Sequence, residues 1–139
     1  MCEILAHQAR GFIYSAALPA PAVAAACAAL DVIEEEPERV QALQRNINYF
    51  GARLRAAGFA LPDSNSAIFP IICGDDWQGW HLARYCQRHG VYVQSIPHPV
   101  VPKGTARLRA SVTSAHNAEV LDHCVGIMRD GAKQVGILA

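Results

Sequence analysis

The spacing of apolar residues along the chain predicts an alternation of helices and short strands. In the first half, apolar residues step by three or four positions, which is the spacing of one buried helix face. In the second half, short apolar runs bounded by glycine or proline indicate strands. After a helix tail over residues 1–10, the predicted order is helix 22–35, helix 40–54, strand 67–72, helix 77–89, strand 91–96, strand 107–113 and helix 117–133.

This order favours an α+β fold in which a small, mainly antiparallel sheet carries helices on one face. Pro70 lies inside the first predicted strand, so that strand is expected at a sheet edge or at a bulge. Pro37 is expected to break the chain between the first two long helices. The turn at residues 74–76 and Asn117 supply N-cap side chains, and Gly58 is a plausible C-cap.

The third predicted strand carries two arginines on one face. Three prolines and a Lys-Gly-Thr turn stiffen residues 97–105 before it. A guanidinium fork can hold both oxygens of a carboxylate or phosphate, so this face is a candidate anion site. The alternative interpretation is an edge strand with a solvated charged face. The strict alternation places Leu108, Ala110 and Val112 on one side and Arg107, Arg109, Ser111 and Thr113 on the other.

Composition narrows the class of protein. A chain of 139 residues is long enough for one domain with its own core, and 52% hydrophobic residues favour a large buried interface. Zero formal net charge gives no attraction to nucleic acid or to an anionic membrane. Five widely spaced cysteines without a CxxC pair indicate reduced thiols, most of which fill the core, and not a zinc site. With neither a signal peptide nor a spanning segment in evidence, a cytoplasmic location is expected.

Three stretches carry a resemblance to a known family. They are Phe12-Ile-Tyr-Ser-Ala-Ala-Leu-Pro19, Ser66-Ala-Ile-Phe-Pro-Ile-Ile-Cys-Gly-Asp75, and Pro99-Val-Val-Pro-Lys-Gly-Thr-Ala-Arg-Leu-Arg109 followed by Ser114-Ala-His116. In this order and spacing they resemble the α-oxoamine synthases, pyridoxal-phosphate enzymes that condense an amino acid with an acyl-CoA. The resemblance implies the C-terminal small domain of a fold-type I transferase. Residues 1–20 would end the large-domain region and form a connector, and residues 21–139 would form the small domain.

The resemblance also implies roles for three residues. Arg109 matches the arginine that holds the substrate amino-acid carboxylate. Ser15 and Ala16 match the pair that reaches the cofactor phosphate of the neighbouring subunit. Family members often have Thr or Asn at the second position, so Ala16 would contribute its backbone only. For Ser15, an ordinary turn before Pro19 remains an equal alternative.

Four further side chains have structural interpretations that compete with functional ones. The resemblance places His98 near the substrate entrance, whereas a loop histidine without contacts is the simpler interpretation. His116 precedes the last helix and is interpreted as part of its capping region. Trp77 and Trp80 lie one helical turn apart and are predicted to pack in the core or in an interface.

The cofactor chemistry requires a lysine that forms a Schiff base, and neither lysine of this sequence has the sequence context of that residue. Lys103 follows a proline in a turn and Lys133 lies near the C-terminus, and neither has the context of the family's Schiff-base lysine. The resemblance places that lysine upstream of Met1, so the chain is expected to be inactive alone. Its implied partners are the large cofactor domain or a homodimer partner, with amino acid and acyl-CoA bound by the complete enzyme.

Two classes of function stay open at this point. One is the C-terminal part of a PLP-dependent acyltransferase, present as a fragment or as a subunit of a split enzyme. The other is a non-catalytic interaction module, or an inactive truncated fragment, that pairs with a full-length relative.

The isolated chain is predicted to form no specific covalent adduct with pyridoxal phosphate. The reason is that neither lysine matches the family's attachment site. The measurement is a visible spectrum of the mixture, followed by reduction and peptide mapping. A stoichiometric adduct on Lys103 or Lys133, accompanied by turnover, would show that the chain carries its own catalytic lysine.

Overall fold

The structure, a computed structural model, describes residues 2–13 and 18–139. They form two compact units, Met1–Pro37 and Glu38–Ala139. The division into residues 1–20 and 21–139 expected from the resemblance stays a prediction.

The first unit consists of helices. They are α1 (Cys2–Gln8), α2 (Arg10–Ile13) and α3 (Ala20–Glu35). Two prolines at the start of α3 suit the first helical turn, where a missing backbone N–H costs nothing. No residue of α3 is buried, so its apolar side chains, including Leu30 and Ile33, are exposed to solvent.

The second unit is a three-stranded antiparallel sheet covered by helices. Its elements are α4 (Pro37–Ala56), β1 (Ile68–Gly74), α5 (Asp76–Arg88), β2 (Gln94–Ile96), β3 (Ala106–Ser111) and α6 (Ala118–Gln134). The order of elements and the α+β class confirm the prediction. The break between the helices α3 and α4 falls at Glu36. Pro37 itself is the first residue of α4, because the first turn of a helix accommodates proline.

The strands lie in the order β1-β3-β2, so β3 is the central strand. The alternative of an edge strand is therefore wrong for β3, because partners hydrogen-bond to it on both sides. β1 is an edge strand with an irregularity between Ile72 and Gly74, as Pro70 predicted. β2 is shorter than the predicted strand at 91–96, and Val91 and Val93 are buried without strand pairing.

The core lies between the inner face of the sheet and the three helices α4, α5 and α6. Leu108, Ala110 and Val112 are buried, as the alternation predicted, and Ala106 at the start of β3 is buried with them. From α4, Phe50 meets Phe69 of β1 edge-to-face, with ring centroids 5.2 Å apart. The helices add the other buried side chains Ile47, Leu54, Leu82, Cys86, Leu121, Val125, Met128 and Ala132.

Both predicted N-caps of this unit form. The Asp75 carboxylate accepts a hydrogen bond from the Gln78 N–H at 2.7 Å, and the Asn117 side chain accepts one from the Val120 N–H at 2.9 Å. Gly58 follows α4 with a φ of 98°, a conformation that favours glycine. The start of α5, the start of α6 and the end of α4 could therefore be predicted from the residues at those positions.

The cysteines divide into two groups. Cys73 and Cys86 fill the core as predicted, and burial raises the pKa of their thiols to about 11 and about 12. Cys124 is partly buried against the same core, and Cys2 and Cys27 are exposed, so three of the five cysteines lie in or against the core, in line with the prediction for most of them.

Of the two alternatives for Trp77 and Trp80, packing in the core is wrong, and packing in an interface stays a prediction. Trp77 and Trp80 lie on the solvent side of α5 and are 59% and 52% exposed. The buried face of α5 is formed by Gly79, Leu82 and Cys86 instead.

Helices α5 and α6 approach most closely at Gly131. A Cβ atom at this position would lie 2.5 Å from Tyr85 Cδ1 and 2.8 Å from Leu82 Cδ1, below any ordinary contact distance. Gly126 lies in the same helix, and a Cβ atom there would meet nothing within 4 Å. The helix therefore contains one glycine that packing requires and one that packing does not require.

We expect Gly131→Ala to destabilise the chain by about 1–3 kcal/mol, because the added methyl group overpacks the contact between the helices. Gly126→Ala is the matched control and should stabilise by about 0.5–1 kcal/mol through helix propensity. Urea unfolding followed by circular dichroism measures both. Equal effects of the two substitutions would contradict the close contact.

Asp122 of α6 links that helix to α4. Tyr49 Oη donates to Asp122 Oδ2 at 2.8 Å, and Arg53 Nε donates to Asp122 Oδ1 at 2.6 Å. The hydrogen bond from Tyr49, together with the bond and charge of Arg53, lowers the pKa of Asp122. The same bond raises the pKa of Tyr49. The charged carboxylate therefore favours the folded chain.

Because the folded-state pKa of Asp122 is depressed, its contribution is present above the ordinary carboxyl pKa and is lost as the pH falls through the folded value. We predict that Asp122→Asn lowers the urea midpoint at pH 6 and that the difference from the unsubstituted chain shrinks at pH 3. Asp130→Asn is the control, since Asp130 pairs only with its neighbour Arg129. A difference that persists unchanged at pH 3 would exclude the charge as its cause.

Candidate functional site

The candidate site lies on the face of the sheet opposite the helices. Arg109 occupies the centre of this outer face, because β3 is the central strand. Its register partners are Pro70 on β1 and Gln94 on β2. Ile68 and Ile72 of β1 share the face and are 40% and 43% exposed. The outer face thus presents two guanidiniums, those of Arg107 and Arg109, beside partly exposed apolar side chains.

The two arginines of β3 differ in their contacts. Arg107 donates from Nε to the Thr105 carbonyl at 3.1 Å and from Nη2 to Thr105 Oγ1 at 3.2 Å. Thr105 Oγ1 in turn donates to the Pro102 carbonyl at 2.7 Å. Arg107 therefore fastens the turn that precedes β3, and its donors are largely engaged.

Arg109 has no such partner. Across residues 2–13 and 18–139, its guanidinium takes part in no hydrogen bond or ion pair. An unpaired guanidinium on a partly apolar face can donate two parallel hydrogen bonds to the carboxylate of a ligand. Any domain that covered this face would lower the local dielectric constant and strengthen that interaction.

The loop before β3 is fixed at several points. The His98 backbone N–H donates to Asp76 Oδ1 at 3.0 Å, which ties the loop to the start of α5. Turn hydrogen bonds run from the Val100 N–H to the Pro97 carbonyl and from the Thr105 N–H to the Pro102 carbonyl. The His98 side chain is exposed in this loop, and its role near a substrate stays a prediction.

His116 has a structural role, as predicted. Its Nδ1 accepts a hydrogen bond from the Thr113 N–H at 3.2 Å, inside the turn between β3 and α6. Asn46 of α4 holds the same turn, because its Nδ2 donates to the carbonyls of Thr113 and His116 at 3.0 and 2.7 Å. No local pattern in the sequence indicates this role for Asn46, since its partners lie about seventy residues further along the chain.

The remaining predicted residues do not join Arg109. Ser15 and Ala16 lie outside the described residues. Lys103 is exposed in the turn before β3, and Lys133 is exposed in the last turn of α6, in the helical layer. The described residues therefore offer on the outer face a guanidinium without a partner among them, and their two lysines do not fit a cofactor attachment site on that face.

The described residues contain neither a metal-binding cluster nor a membrane-spanning helix. Within the described ranges, no group of three or more His, Cys, Asp or Glu residues is placed to hold a metal ion. Of the helices in those ranges, none combines the length and apolar character that crossing a bilayer requires.

Comparison with known proteins places this chain in a family. The model of the aminotransferase class I and II family matches residues 1–127, and the chain belongs to that family. Its similar proteins are α-oxoamine synthases, which confirms the resemblance drawn from the three stretches. Enzymes of this family depend on pyridoxal phosphate, and the chain corresponds to only part of them.

Two curated relatives illustrate the match. The chain is 41% identical over 135 residues to the 4-hydroxy-2,2'-bipyrrole-5-methanol synthase PigH of Serratia sp. (strain ATCC 39006), covering 97% of this chain and 21% of PigH. It is 38% identical over 139 residues to the 8-amino-7-oxononanoate synthase of Symbiobacterium thermophilum, covering 99% of this chain and 35% of that enzyme. The chain thus spans about a third or less of the length of these relatives.

A solved structure gives the same fold. A serine palmitoyltransferase with pyridoxal phosphate superposes with a TM-score of 0.88 at 26% identity, covering 99% of this chain and 35% of the other. The predicted fold class, a piece of a fold-type I transferase with a small antiparallel sheet and helices, is therefore confirmed.

Proposed function

We propose that the chain is the C-terminal part of a PLP-dependent acyl-CoA:amino acid C-acyltransferase, in which Arg109 binds the carboxylate of a small amino acid. The observation that carries the proposal is the unpaired Arg109 guanidinium at the centre of the outer face. Family membership and the similarity to α-oxoamine synthases support the reaction class.

Arg109 would act by orientation. A bidentate hydrogen bond fixes both the position and the plane of a carboxylate, whereas a point charge fixes only its distance. The neighbouring strands hold the backbone of Arg109 on both sides, so little freedom is left to misplace the bound group. Pyridoxal phosphate, when bound, supplies the electron sink for carbanion chemistry at the amino-acid α-carbon.

The rest of the proposed site would come partly from this chain and partly from the remainder of the complete enzyme. The cofactor lysine would lie outside this chain, and Ser15 with the Ala16 backbone would contact the cofactor phosphate of a neighbouring subunit. The large cofactor domain would cover the outer face, where exposed Ile68 and Ile72 favour an apolar partner. The complete enzyme would then act as a homodimer in the cytoplasm.

In the complete enzyme, Arg109→Ala should lower kcat/KM for the amino acid. The loss should correspond to about 2–4 kcal/mol of activation free energy, the range for removing one member of a buried charge pair. Arg109→Lys should restore only part of this loss, because lysine cannot form the bidentate contact. Steady-state kinetics with each substrate varied in turn provides the measurement.

Arg107→Ala is the matched control for this experiment. It removes the same charge from the same strand face, but Arg107 already bonds to Thr105, so the loss should be much smaller. The KM for the acyl-CoA should change little in all three variants. Equal losses at the two arginines, or a loss confined to the acyl-CoA, would remove Arg109 from the carboxylate role.

A further inference from the structure

The solvent side of α5 carries a stripe of aromatic and cationic side chains. Trp77, His81, Arg84 and Arg88 follow one another at intervals of four, three and four residues, so they share one helix face. Trp77 and the neighbouring Trp80 both leave large apolar rings in water, and contiguous exposed apolar surface marks binding sites. The fold does not account for this stripe, because α5 packs through its opposite face.

The aromatic end of the stripe is held in a fixed geometry. The His81 ring stacks on Trp77 with centroids 3.9 Å apart and an interplanar angle of 29°. His81 Nδ1 lies 2.9 Å from the Trp77 carbonyl and donates to it, which fixes the orientation of the imidazole. The exposed part of the Trp77 indole is thus a pre-positioned surface for stacking by another planar ring.

The other end of the stripe is cationic. The Arg84 guanidinium lies 5.2 Å from the centroid of the Trp80 ring. Neither Arg84 nor Arg88 forms an ion pair with any residue in the described parts of the chain. The one acidic residue of α5, Asp76, is engaged by the His98 N–H. The stripe therefore has positive charges without a compensating carboxylate on the same helix.

These side chains line one wall of a cleft of about 210 Å³, whose other wall is formed by Gln134 and Val135 at the end of α6. Arg84 lies seven positions after Trp77, and Arg88 lies seven positions after His81. Seven positions correspond to roughly 10 Å along a helix. A ligand that fits this layout has a planar ring at one end and a doubly or triply charged anion about 10 Å away.

We infer that this cleft binds a nucleoside diphosphate group, with the base stacked at Trp77 and the phosphates held by Arg84 and Arg88. Stacking accepts any base, and arginine is the preferred partner of phosphate. The group has two natural sources, a free nucleotide and the nucleotide end of coenzyme A. The cleft lies in the helical layer, on the other side of the sheet from Arg109, so the inference does not rest on the proposed function.

The chain contains two tryptophans, Trp77 and Trp80, so its tryptophan fluorescence reports on this region alone. We expect ADP to quench that fluorescence, excited on the red edge of the indole band, with a half-saturation below about 1 mM. The double variant Arg84→Gln/Arg88→Gln should bind ADP at least about ten-fold more weakly, because it loses both charge-assisted contacts. Arg129→Gln, an exposed arginine of α6, is the matched control and should bind normally.

Two further ligands, coenzyme A and inorganic phosphate, test which molecule supplies the nucleoside diphosphate group and whether the base is needed for quenching. Coenzyme A that binds clearly more tightly than ADP identifies its nucleotide end as the natural ligand, whereas equal or weaker binding identifies a free nucleotide. Inorganic phosphate at matched ionic strength should not quench, because it has no ring to stack. Absence of saturable quenching by ADP, equal quenching by phosphate, or an equal loss in the Arg129→Gln control would each overturn the inference. Each result is independent of the kinetics at Arg109.

Discussion

The hydrogen bonding of β3 on both of its edges is the constraint on which the second unit depends. With β1 on one side and β2 on the other, the twist and register of β3 leave each of its side chains on one face or the other. Leu108 then lies fully within the core, while Arg109 lies on the open face one residue later. A shift of one residue would exchange these two environments, and the cost of burying two guanidiniums excludes it.

This dependence explains which features could be predicted from the sequence. Alternation is a local property, so it assigned Leu108 and Arg109 to their faces correctly. Strand order is a non-local property, and nothing in the alternation distinguishes a central strand from an edge strand. Pro70 was informative for β1 because a missing N–H is tolerated only at an edge or a bulge. No comparable residue marks β3.

Packing between elements decides two further features that the sequence pattern did not predict. Trp77 and Trp80 were assigned to the core or to an interface, because large aromatic residues usually bury their surface, and the core alternative fails because the buried face of α5 is built from smaller residues. Gly79 and Gly131 allow the helix to approach the sheet and α6, respectively, so no aromatic ring is needed to fill space there. Asn46 was missed for a related reason, since its bonds to the turn at Thr113 depend on how α4 lies against the sheet.

The arrangement also separates stability from the proposed chemistry. The residues that hold the second unit together lie between the inner face of the sheet and the helices. Arg109 contributes to none of those contacts, and its side chain projects from a strand whose backbone bonds do not involve the guanidinium. Arg107 differs, because its bonds to Thr105 shape the turn that feeds β3. Two residues of one type, two positions apart on one face, thus differ in their contacts: Arg107 bonds to the turn before the strand, whereas the donors of Arg109 have no partner within the described residues.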